Sequence, residues 1–281
     1  MRSGPARSLW RERRRPTRDT VAAVLIVSWN VASLRARMPR VLELLARYQP
    51  DVVCLQETKC APENFPVAEL ASAGYGVVQN SGGPWAGVAL LIRSPLTAAD
   101  PLVGLPGDPV PSEARWVEAT VAGVRIVSTY VPNGRTPDSP EFPRKLAFLE
   151  AAAMRAAAQT DEPLVVAGDI NIAPTDIDVY DPRAFAGSTH VSPQERSALA
   201  EILKRGGLVD SYRRLHPDDQ QFTWWDYRAG HFHKNLGLRI DLVLVSDQLA
   251  PKLTECGIDR DFRKGQKPSD HAPLLVRMEV R

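Results

Sequence analysis

The stretch LVVAGDIN at residues 164–171 contains the pattern that decides the fold class. Four consecutive apolar residues predict a strand covered on both faces, because a half-exposed strand would alternate apolar and polar side chains. Two polar residues, Asp169 and Asn171, follow where the apolar run ends. Similar runs rich in Val, Ile and Leu predict strands at residues 24–29, 52–56, 87–93, 116–121, 125–130, 240–245 and 274–280.

Helical patterns alternate with these strands, which predicts an α/β protein. Pro39 is expected to open one helix with apolar residues at i, i+3, i+4 and i+7, and Pro50 is expected to end it. Another helix is predicted over about residues 140–158. Ser192 and Glu195 have the spacing of a capping box and predict the start of a further helix.

The length of 281 residues, with 44% hydrophobic content, suits one large α/β domain or two small ones. No low-complexity linker or internal repeat interrupts residues 21–281, so a single domain is predicted there. Residues 1–20 carry seven arginines, and this dense like charge predicts a disordered basic extension. The apolar run at residues 21–27 imitates a signal peptide, but it is short and β-branched and is interpreted as the first strand.

Net charge and cysteine content exclude several classes of protein. The net charge of +2 comes from 35 Lys and Arg against 33 Asp and Glu, so a nucleic-acid surface must arise from local clustering. Three cysteines without a C-x-x-C pair argue against a disulfide framework and a thiolate zinc site, and a cytoplasmic location is expected. No apolar run reaches the roughly 20 residues of a membrane-spanning helix, so no membrane partner is expected.

Polar residues recur where the apolar strands end, which is where α/β folds place their sites. Buried carboxylates are costly unless they are paired or bind a metal, so several of them converging from separate strands indicate a cation site. Carboxylate and amide oxygens with a single histidine suit Mg²⁺ or Mn²⁺ better than zinc. These residues are Asn30, Gln56, Glu57, Tyr130, Asp169, Asn171, Asp241, Asp270 and His271.

Six short motifs contain these strand-end residues: SWN at 28–30, LQETK at 55–59, YVPNG at 130–134, GDIN at 168–171, LRID at 238–241 and SDH at 269–271. Each motif alone is a weak signal, but the ordered series resembles that of exonuclease III and the related apurinic/apyrimidinic endonucleases, within the endonuclease/exonuclease/phosphatase superfamily. The resemblance implies a four-layer α/β sandwich, with two packed β-sheets flanked by helices. It also implies a DNA repair nuclease that hydrolyses the phosphodiester 5′ to abasic sites, with 3′–5′ exonuclease and 3′-phosphatase activity.

The resemblance implies that Glu57 is the principal ligand of a Mg²⁺ ion, helped by Asn30 and Asp270, and that Mn²⁺ can substitute. This chain departs from the family at Ala32, where relatives commonly carry Asp or Asn. The departure puts metal affinity or the number of metals in doubt. A second metal site, which the sequence leaves open, would consist of Asp169, Asn171 and His271.

Catalytic roles also follow from the resemblance. Asp169 would orient or deprotonate the attacking water, and Asn171 would donate a hydrogen bond to a phosphate oxygen. Tyr130 would present its hydroxyl to the same phosphate. Asp241 lies in an apolar strand, where an unpaired carboxylate is costly, so we expect it to pair with His271. Whether that histidine acts as a neutral donor or as an imidazolium is left open.

The resemblance further implies how DNA is bound. Trp224, Leu238 and Ile240 would line a small apolar pocket for a flipped sugar without its base, because a missing base lowers the cost of flipping. Trp225 is explained equally well by core packing. The expected partner is double-stranded DNA with abasic sites or blocked 3′ ends, bound by a monomer. The basic residues expected to contact its backbone are Arg35, Arg37, Lys59, Arg135, Arg228, Lys234, Arg239 and Lys267.

Two alternatives remain open from the sequence. A DNase I-like nuclease, an inositol-phosphate phosphatase or a sphingomyelinase of the same superfamily would share the Glu, Asp-x-Asn and Asp-His residues. The aromatic segment at 224–228 and the match around 235–241 favour DNA repair over these enzymes. A non-catalytic DNA-binding relative is disfavoured because every catalytic position of the motif series except Ala32 is filled.

Overall fold

A computed structural model describes residues 23–280, in which two six-stranded β-sheets pack face to face with helices on their outer sides. This arrangement is the four-layer α/β sandwich that the motif series implied. The basic extension predicted for residues 1–20 lies outside the described residues. Within residues 23–280, none of the helices combines the length and apolar character needed to cross a bilayer.

The first sheet is built from both ends of the described chain. Its strands are β1 (Ala23–Asn30), β2 (Val52–Gln56), β3 (Tyr75–Asn80), β4 (Val88–Arg93), β11 (Leu253–Ile258) and β12 (Leu274–Glu279). They follow the order β11-β12-β1-β2-β4-β3. Only the central pair, β1 and β2, is parallel, and its register sets Asn30 beside Gln56. The last residues of both strands therefore lie at the same edge.

The second sheet comes from the middle of the chain and repeats this pattern of pairing. Its strands are β5 (Ala99–Val103), β6 (Trp116–Val121), β7 (Val124–Tyr130), β8 (Leu164–Asp169), β9 (Leu208–Asp210) and β10 (Asp241–Ser246). They follow the order β5-β6-β7-β8-β10-β9, with one parallel pair, β7 and β8. The register sets Asp169 beside both Tyr130 and Asp241.

Four of the twelve strands, β3, β5, β9 and β11, were not predicted from the sequence, and all four are edge strands of the two sheets. Each has exposed or half-exposed residues along its length, in contrast to the fully buried β2 and β8. An edge strand has one open side, so it does not need the continuous apolar run by which the central strands were identified.

Helices cover the outer faces of both sheets. They are α1 (Leu34–Tyr48) and α2 (Val67–Ser72) on the first sheet and α3 (Glu141–Ala157) and α4 (Pro193–Gly206) on the second. Two short helices follow, α5 (Ser211–Leu215), whose Tyr212 packs in the apolar layer between the sheets, and α6 (His231–Lys234). The predicted helix over 140–158 is confirmed as α3. Ser192 and Glu195 form the predicted capping box at the start of α4, where the Ser192 side chain accepts a hydrogen bond from the backbone N–H of Glu195.

Helix α1 begins at Leu34, and the prediction that it opens at Pro39 is wrong. The first backbone N–H groups of a helix lack partners within it. Here the N–H of Ser33 donates to the carbonyl of Glu57 over 2.8 Å, and that of Leu34 donates to the carbonyl of Thr58 over 2.9 Å. These acceptors belong to the loop after β2, so tertiary contacts allow the helix to start earlier and to retain a proline in its interior.

Three apolar layers hold the elements together. One lies between the sheets and includes Ile26, Leu90, Val165 and Val243. A second lies between the first sheet and α1, and a third lies between the second sheet and helices α3 and α4. Because both faces of each sheet are covered, the polar residues gather at the strand ends, where the two sheets are open at one edge.

Candidate active site

The candidate active site lies at one edge of the sandwich, where strands of both sheets end side by side. Asn30 ends β1, Glu57 directly follows β2, and Tyr130 and Asp169 end β7 and β8. Asp169 follows Gly168, where an added Cβ would lie 1.9 Å from the carbonyl oxygen of Thr129 on the neighbouring strand. Only glycine fits this close approach, so the glycine of the GDIN motif sets the position of the carboxylate that follows it.

The side-chain amide of Asn30 bridges the two sheets. Its Nδ2 donates to Oε1 of Glu57 over 2.8 Å and to Oδ2 of Asp169 over 2.9 Å. Both amide protons are therefore used, and two carboxylates 112 positions apart in the chain are held on one nitrogen. The prediction that residues from separate strands converge is confirmed for these three.

His271 lies on the other side of Asp169 and contacts two carboxylates. Its Nδ1 donates to Oδ2 of Asp241 over 2.8 Å, and its Nε2 lies 3.7 Å from Oδ2 of Asp169. Burial disfavours the charged imidazole, but Asp241 and Asp169 outweigh burial and raise the pKa of His271 to about 10. The expected pairing with Asp241 is present, and the imidazolium form is favoured at neutral pH.

The carboxylates of Asp169 and Glu57 differ in their pKa shifts. Burial, reinforced by Asp241 and Glu57, raises the pKa of Asp169 to about 7, although His271 opposes this shift. Burial also disfavours ionised Glu57, but hydrogen bonds from Asn30 and Lys59 outweigh it and hold its pKa below the usual range. Asp169 can therefore exchange a proton near neutral pH, whereas Glu57 remains ionised.

Tyr130 and the backbone of the loops complete this cluster. Burial, together with Glu57 and Asp169, raises the pKa of the Tyr130 phenol well above its usual value, so the hydroxyl remains protonated and able to donate. Glu57 and Asn171 adopt positive φ angles of 50° and 55°. Such a conformation costs a non-glycine residue free energy and recurs at functional sites.

Asp270, which was predicted to bind metal, faces the aromatic segment. Its Oδ2 accepts a hydrogen bond from Nε1 of Trp224 over 3.1 Å, while its Oδ1 is buried with no hydrogen-bond partner in the described part of the chain. A buried carboxylate oxygen without a partner is costly and is typical of a missing proton or cation.

The donor set fits a hard divalent cation. One carboxylate oxygen each of Glu57 and Asp169 and one ring nitrogen of His271 lie within 4.8 Å of one another. As an imidazolium, His271 has no lone pair for a metal, so the two carboxylates are the ligands that this group offers. Two carboxylates and the unpartnered oxygen of Asp270 supply oxygen ligands, which Mg²⁺ and Mn²⁺ prefer. The Asn30 amide turns its nitrogen to the carboxylates, and its oxygen accepts from the backbone N–H of Ala32 over 3.0 Å, so in this arrangement Asn30 orients the ligands. Asp270 is not one of the three close groups, and His271 is held by Asp241.

Several residues around the site were not predicted from the sequence. Lys145 from α3 and His190 from the loop before α4 both donate to the backbone carbonyl of Asn171, over 2.7 Å each. Nδ2 of Asn133 lies 3.3 Å from Oδ1 of Asn171. Asn133 belongs to the YVPNG motif and was open to prediction from it, but Lys145 and His190 come from segments without a motif.

The predicted DNA-contacting cations mostly lie on the surface. Arg35, Lys234 and Lys267 are exposed, as are Arg135 and Arg228, whose side chains are 74% and 87% accessible. Lys59 instead forms an ion pair with Glu57, with 2.6 Å between Nζ and Oε2. Arg37 donates to the hydroxyl of Tyr227 and to a backbone carbonyl.

Arg239 is the exception, and its predicted contact with DNA is contradicted by its burial. Its side chain has 0% exposure and forms ion pairs of 2.7 Å with both Asp178 and Asp210. An arginine in this position cannot reach a phosphate without breaking both pairs. Arg239 therefore connects the segment before β10 to the loop around Asp178 and to the start of α5.

The aromatic segment places its two tryptophans differently. Trp224 is half-buried and belongs to an apolar cluster with Leu238 and Ile240, both of which are buried. Backbone hydrogen bonds in both directions join Trp224 to Leu238. Trp225 is fully buried against Phe222, so core packing accounts for it.

An edge of strand ends with paired carboxylates, a protonated imidazole, a phenol and amide donors has the chemistry of a metal-dependent phosphoester hydrolase. The family model described as the endonuclease/exonuclease/phosphatase family matches residues 27–271. The chain belongs to this family, and it is a hydrolytic nuclease of the exonuclease III type.

Curated relatives match over almost the whole chain. Exodeoxyribonuclease III of Haemophilus influenzae is 35% identical over 265 residues, which cover 88% of this chain and 97% of the relative. The DNA repair nuclease APEX1 of Danio rerio is 30% identical over 266 residues, which cover 92% of this chain and 83% of the relative.

Solved structures agree with this assignment. The 3′ phosphatase NExo from Neisseria, bound to a product DNA hairpin, superposes with a TM-score of 0.88 at 39% identity, covering 92% of this chain and all of that one. An AP endonuclease from Archaeoglobus fulgidus has the same TM-score and coverage at 34% identity. The match includes the two packed sheets and their flanking helices.

Proposed function

We propose that this nuclease acts in DNA repair and hydrolyses the phosphodiester 5′ to an abasic site in duplex DNA. It also removes 3′-terminal nucleotides and 3′ phosphates. Its cation is Mg²⁺, for which Mn²⁺ can substitute. One observation carries the proposal: the Asn30 amide holds Glu57 and Asp169 together while His271 faces Asp169. Similarity to exodeoxyribonuclease III, to a 3′ phosphatase and to an AP endonuclease supports the choice of substrates.

Glu57, helped by Asn30 and Asp270, is the group proposed to hold the cation. The bound cation would neutralise charge on a phosphoryl oxygen and on the leaving 3′ oxygen. The pKa of Asp169, near 7, suits a general base that accepts a proton from water. The alternative second metal position, which includes Asp169 and His271, is less favoured because it would compete with this role.

The remaining polar groups are proposed to stabilise the charge that develops on the phosphate. His271, as an imidazolium fixed by Asp241, presents a positive charge, and the protonated Tyr130 hydroxyl presents a donor. Asn171 has two amide protons, of which one donates to the carbonyl of Val131 over 2.9 Å. The other remains for a phosphate oxygen. Donors fixed before the reaction stabilise the transition state without reorganisation.

Selection for abasic sites is proposed to rest on Trp224, while Leu238 and Ile240, which are 0% and 3% exposed, pack behind it and do not reach the surface. Trp224 is partly exposed and hydrogen-bonded to Asp270, and so adjoins the proposed cation site. A nucleotide without its base lacks much of the stacking that opposes flipping, so it enters such a site at lower cost. Exposed cations, including Arg35, Arg135, Arg228 and Lys267, are proposed to contact the backbone on both sides.

The proposal also covers the setting in which the enzyme acts. We propose that residues 21–281 act as a single catalytic domain, that the protein is a monomer, and that it acts on DNA in the cytoplasm. Because backbone contacts release counterions, affinity for DNA should fall steeply as the salt concentration rises.

The test uses purified protein, Mg²⁺ and three labelled substrates: a duplex with one abasic analogue, the same duplex undamaged, and a nicked duplex with a 3′ phosphate. We expect incision 5′ to the analogue and release of phosphate, both abolished by EDTA and by Glu57→Gln. The exposed glutamate variant Glu69→Gln serves as the matched control and should retain activity. Equal cleavage of the undamaged duplex, or hydrolysis of small phosphoesters alone, would reject the proposal.

A further inference from the structure

Two oppositely charged side chains on α3 and α4, Lys145 and Glu195, are fully buried beside the candidate active site. Each has 0% exposure, and Nζ of Lys145 forms an ion pair with Oε1 of Glu195. Removing two charges from water costs free energy that their mutual attraction often fails to recover. Helix packing alone would be served as well by apolar residues, so the pair calls for another explanation.

The lysine contacts the backbone of the active-site loops. Besides its ion pair, Nζ of Lys145 donates to the carbonyl of Asn171 over 2.7 Å and to the carbonyl of Asn133 over 3.1 Å. An ammonium group has three protons, and all three are used here. The lysine thus joins the loop after β7 to the loop after β8, and an apolar side chain could not replace these bonds.

The glutamate attaches a third segment, the loop before α4. Its Oε1 also accepts from the Thr189 hydroxyl over 2.9 Å and from the His190 N–H over 3.0 Å. Its Oε2 accepts from the backbone N–H and the hydroxyl of Ser192 over 3.1 Å and 2.6 Å. One carboxylate therefore completes the capping box of α4 and anchors the loop that carries His190.

His190, which lies in the loop anchored by Glu195, also contacts Asn171. Nδ1 of His190 lies 2.7 Å from the carbonyl oxygen of Asn171, and this contact requires the nitrogen to carry a proton. Burial, followed by the charge of Lys145, lowers the pKa of His190 to about 4, so the ring is neutral at physiological pH. The Asn171 carbonyl thus accepts two hydrogen bonds, from Lys145 and from His190.

Asn171 needs such support because its backbone conformation is uncommon. Its φ of 55° lies in the left-handed region, which asparagine adopts more readily than most residues but still less often than a right-handed conformation. Its side chain is also fixed, since Nδ2 donates to the carbonyl of Val131. A shift of the Asn171 carbonyl would rotate the amide that faces the phosphate.

We propose that the buried Lys145–Glu195 pair is a positioning device, which holds the carbonyls of Asn133 and Asn171 so that the Asn171 amide faces the scissile phosphate. The inference rests on the proposed function, in which Asn171 donates to a phosphate oxygen. Lys145 and Glu195 are positioning residues, because they act through Asn171. Misplacement of a donor by about 1 Å lowers a rate by as much as 100-fold.

The test compares Lys145→Met, Glu195→Gln and the double variant. Each single variant leaves a buried charge without its partner and should lower the melting temperature. The double variant removes both charges at similar volume, and glutamine also completes a capping box, so its melting temperature should return towards wild type. We expect its single-turnover rate constant to fall about 10- to 100-fold, while its dissociation constant for DNA in EDTA changes less than about twofold.

The matched control is the double variant Glu150→Gln/Arg205→Met. It removes an exposed ion pair of 2.7 Å that also joins α3 to α4, about 15 Å along α4 from Glu195. This control should keep the wild-type rate. A Lys145→Met/Glu195→Gln protein with both a wild-type melting temperature and a wild-type rate would overturn the inference. If that double variant does not fold, Glu195→Asp is used instead, because it keeps both charges but shortens the acidic side chain by one methylene group. An unchanged single-turnover rate constant in Glu195→Asp would equally overturn the inference.

The wild-type assay separates this inference from the proposed function. Absence of Mg²⁺-dependent cleavage by the wild-type enzyme would reject the proposed function. The positioning role is then read from ¹⁵N NMR: the side-chain amide resonances of Asn171 and Asn133 should move or broaden in the double variant and remain in place in the control. Unchanged resonances in both variants would overturn the inference.

Discussion

Replacing Arg239 with methionine distinguishes most sharply between what the sequence predicted and what the structure contains. The sequence predicts a cation that contacts the DNA backbone, whereas the structure has a buried side chain paired with Asp178 and Asp210 at 2.7 Å. Removing one partner of a buried ion pair costs about 3–5 kcal/mol, because the other charge remains buried. Asp178 retains Arg213, and Asp210 retains its hydrogen bonds to the start of α5, which favours the lower end of this range.

This loss corresponds to a fall in melting temperature of roughly 6 to 20 °C at 2–4 °C per kcal/mol. Differential scanning calorimetry measures it, and fluorescence anisotropy over a range of salt concentrations measures DNA binding. If Arg239 is a buried structural residue, the folded Arg239→Met variant binds DNA with the same salt dependence as the wild type. If Arg239 instead contacted a phosphate, its replacement would reduce the slope of log affinity against log salt concentration by about 1, with little change in stability. Arg228→Met, at an 87% exposed position, is the matched control with the opposite expected pattern.

Further predictions concern pH, cation binding and residue 32. His271 has a folded-state pKa of about 10, above its unfolded value, so its contribution to the free energy of unfolding is complete below about pH 6.5 and is lost as the pH rises to about 10. Chemical denaturation in EDTA should show this loss of stability, and the loss should be smaller in His271→Gln. Mg²⁺ at 100 times its dissociation constant should stabilise the protein by about 2.7 kcal/mol, and Glu57→Gln should abolish the resulting shift in melting temperature. Ala32 has a φ of 48°, and its backbone N–H donates to the side chain of Asn30. Because aspartate tolerates this conformation and adds a negative charge, Ala32→Asp should lower the Mg²⁺ concentration for half-maximal activity about tenfold. An unchanged Mg²⁺ concentration would show that residue 32 does not influence the cation.

The residues that the sequence placed correctly at the ends of strands share a local cause. Asp169 and Asp241 each adjoin an apolar run, and the covalent chain fixes which end of a strand a residue occupies. Once the central strands align at one edge, their terminal side chains meet, as the register of Asp169 beside Asp241 confirms. Edge strands lacked the apolar signal because one of their sides is open.

Residues that the sequence misjudged or passed over depend on distant partners. Arg239 is fixed by a carboxylate 61 positions away, and Lys145 by one 50 positions away. The start of α1 depends on carbonyl groups of the loop after β2. In each case a polar group found its partner only when separate segments packed together.

The sequence by itself determined the α/β class, the positions of the central strands along the chain and the polar residues at their ends, because these follow from short-range periodicity and from motifs of adjacent residues. The tertiary structure alone decided which cations face the solvent and which are buried. A charged side chain leaves water only where packing supplies an opposite charge, and no local pattern specifies where that charge will come from.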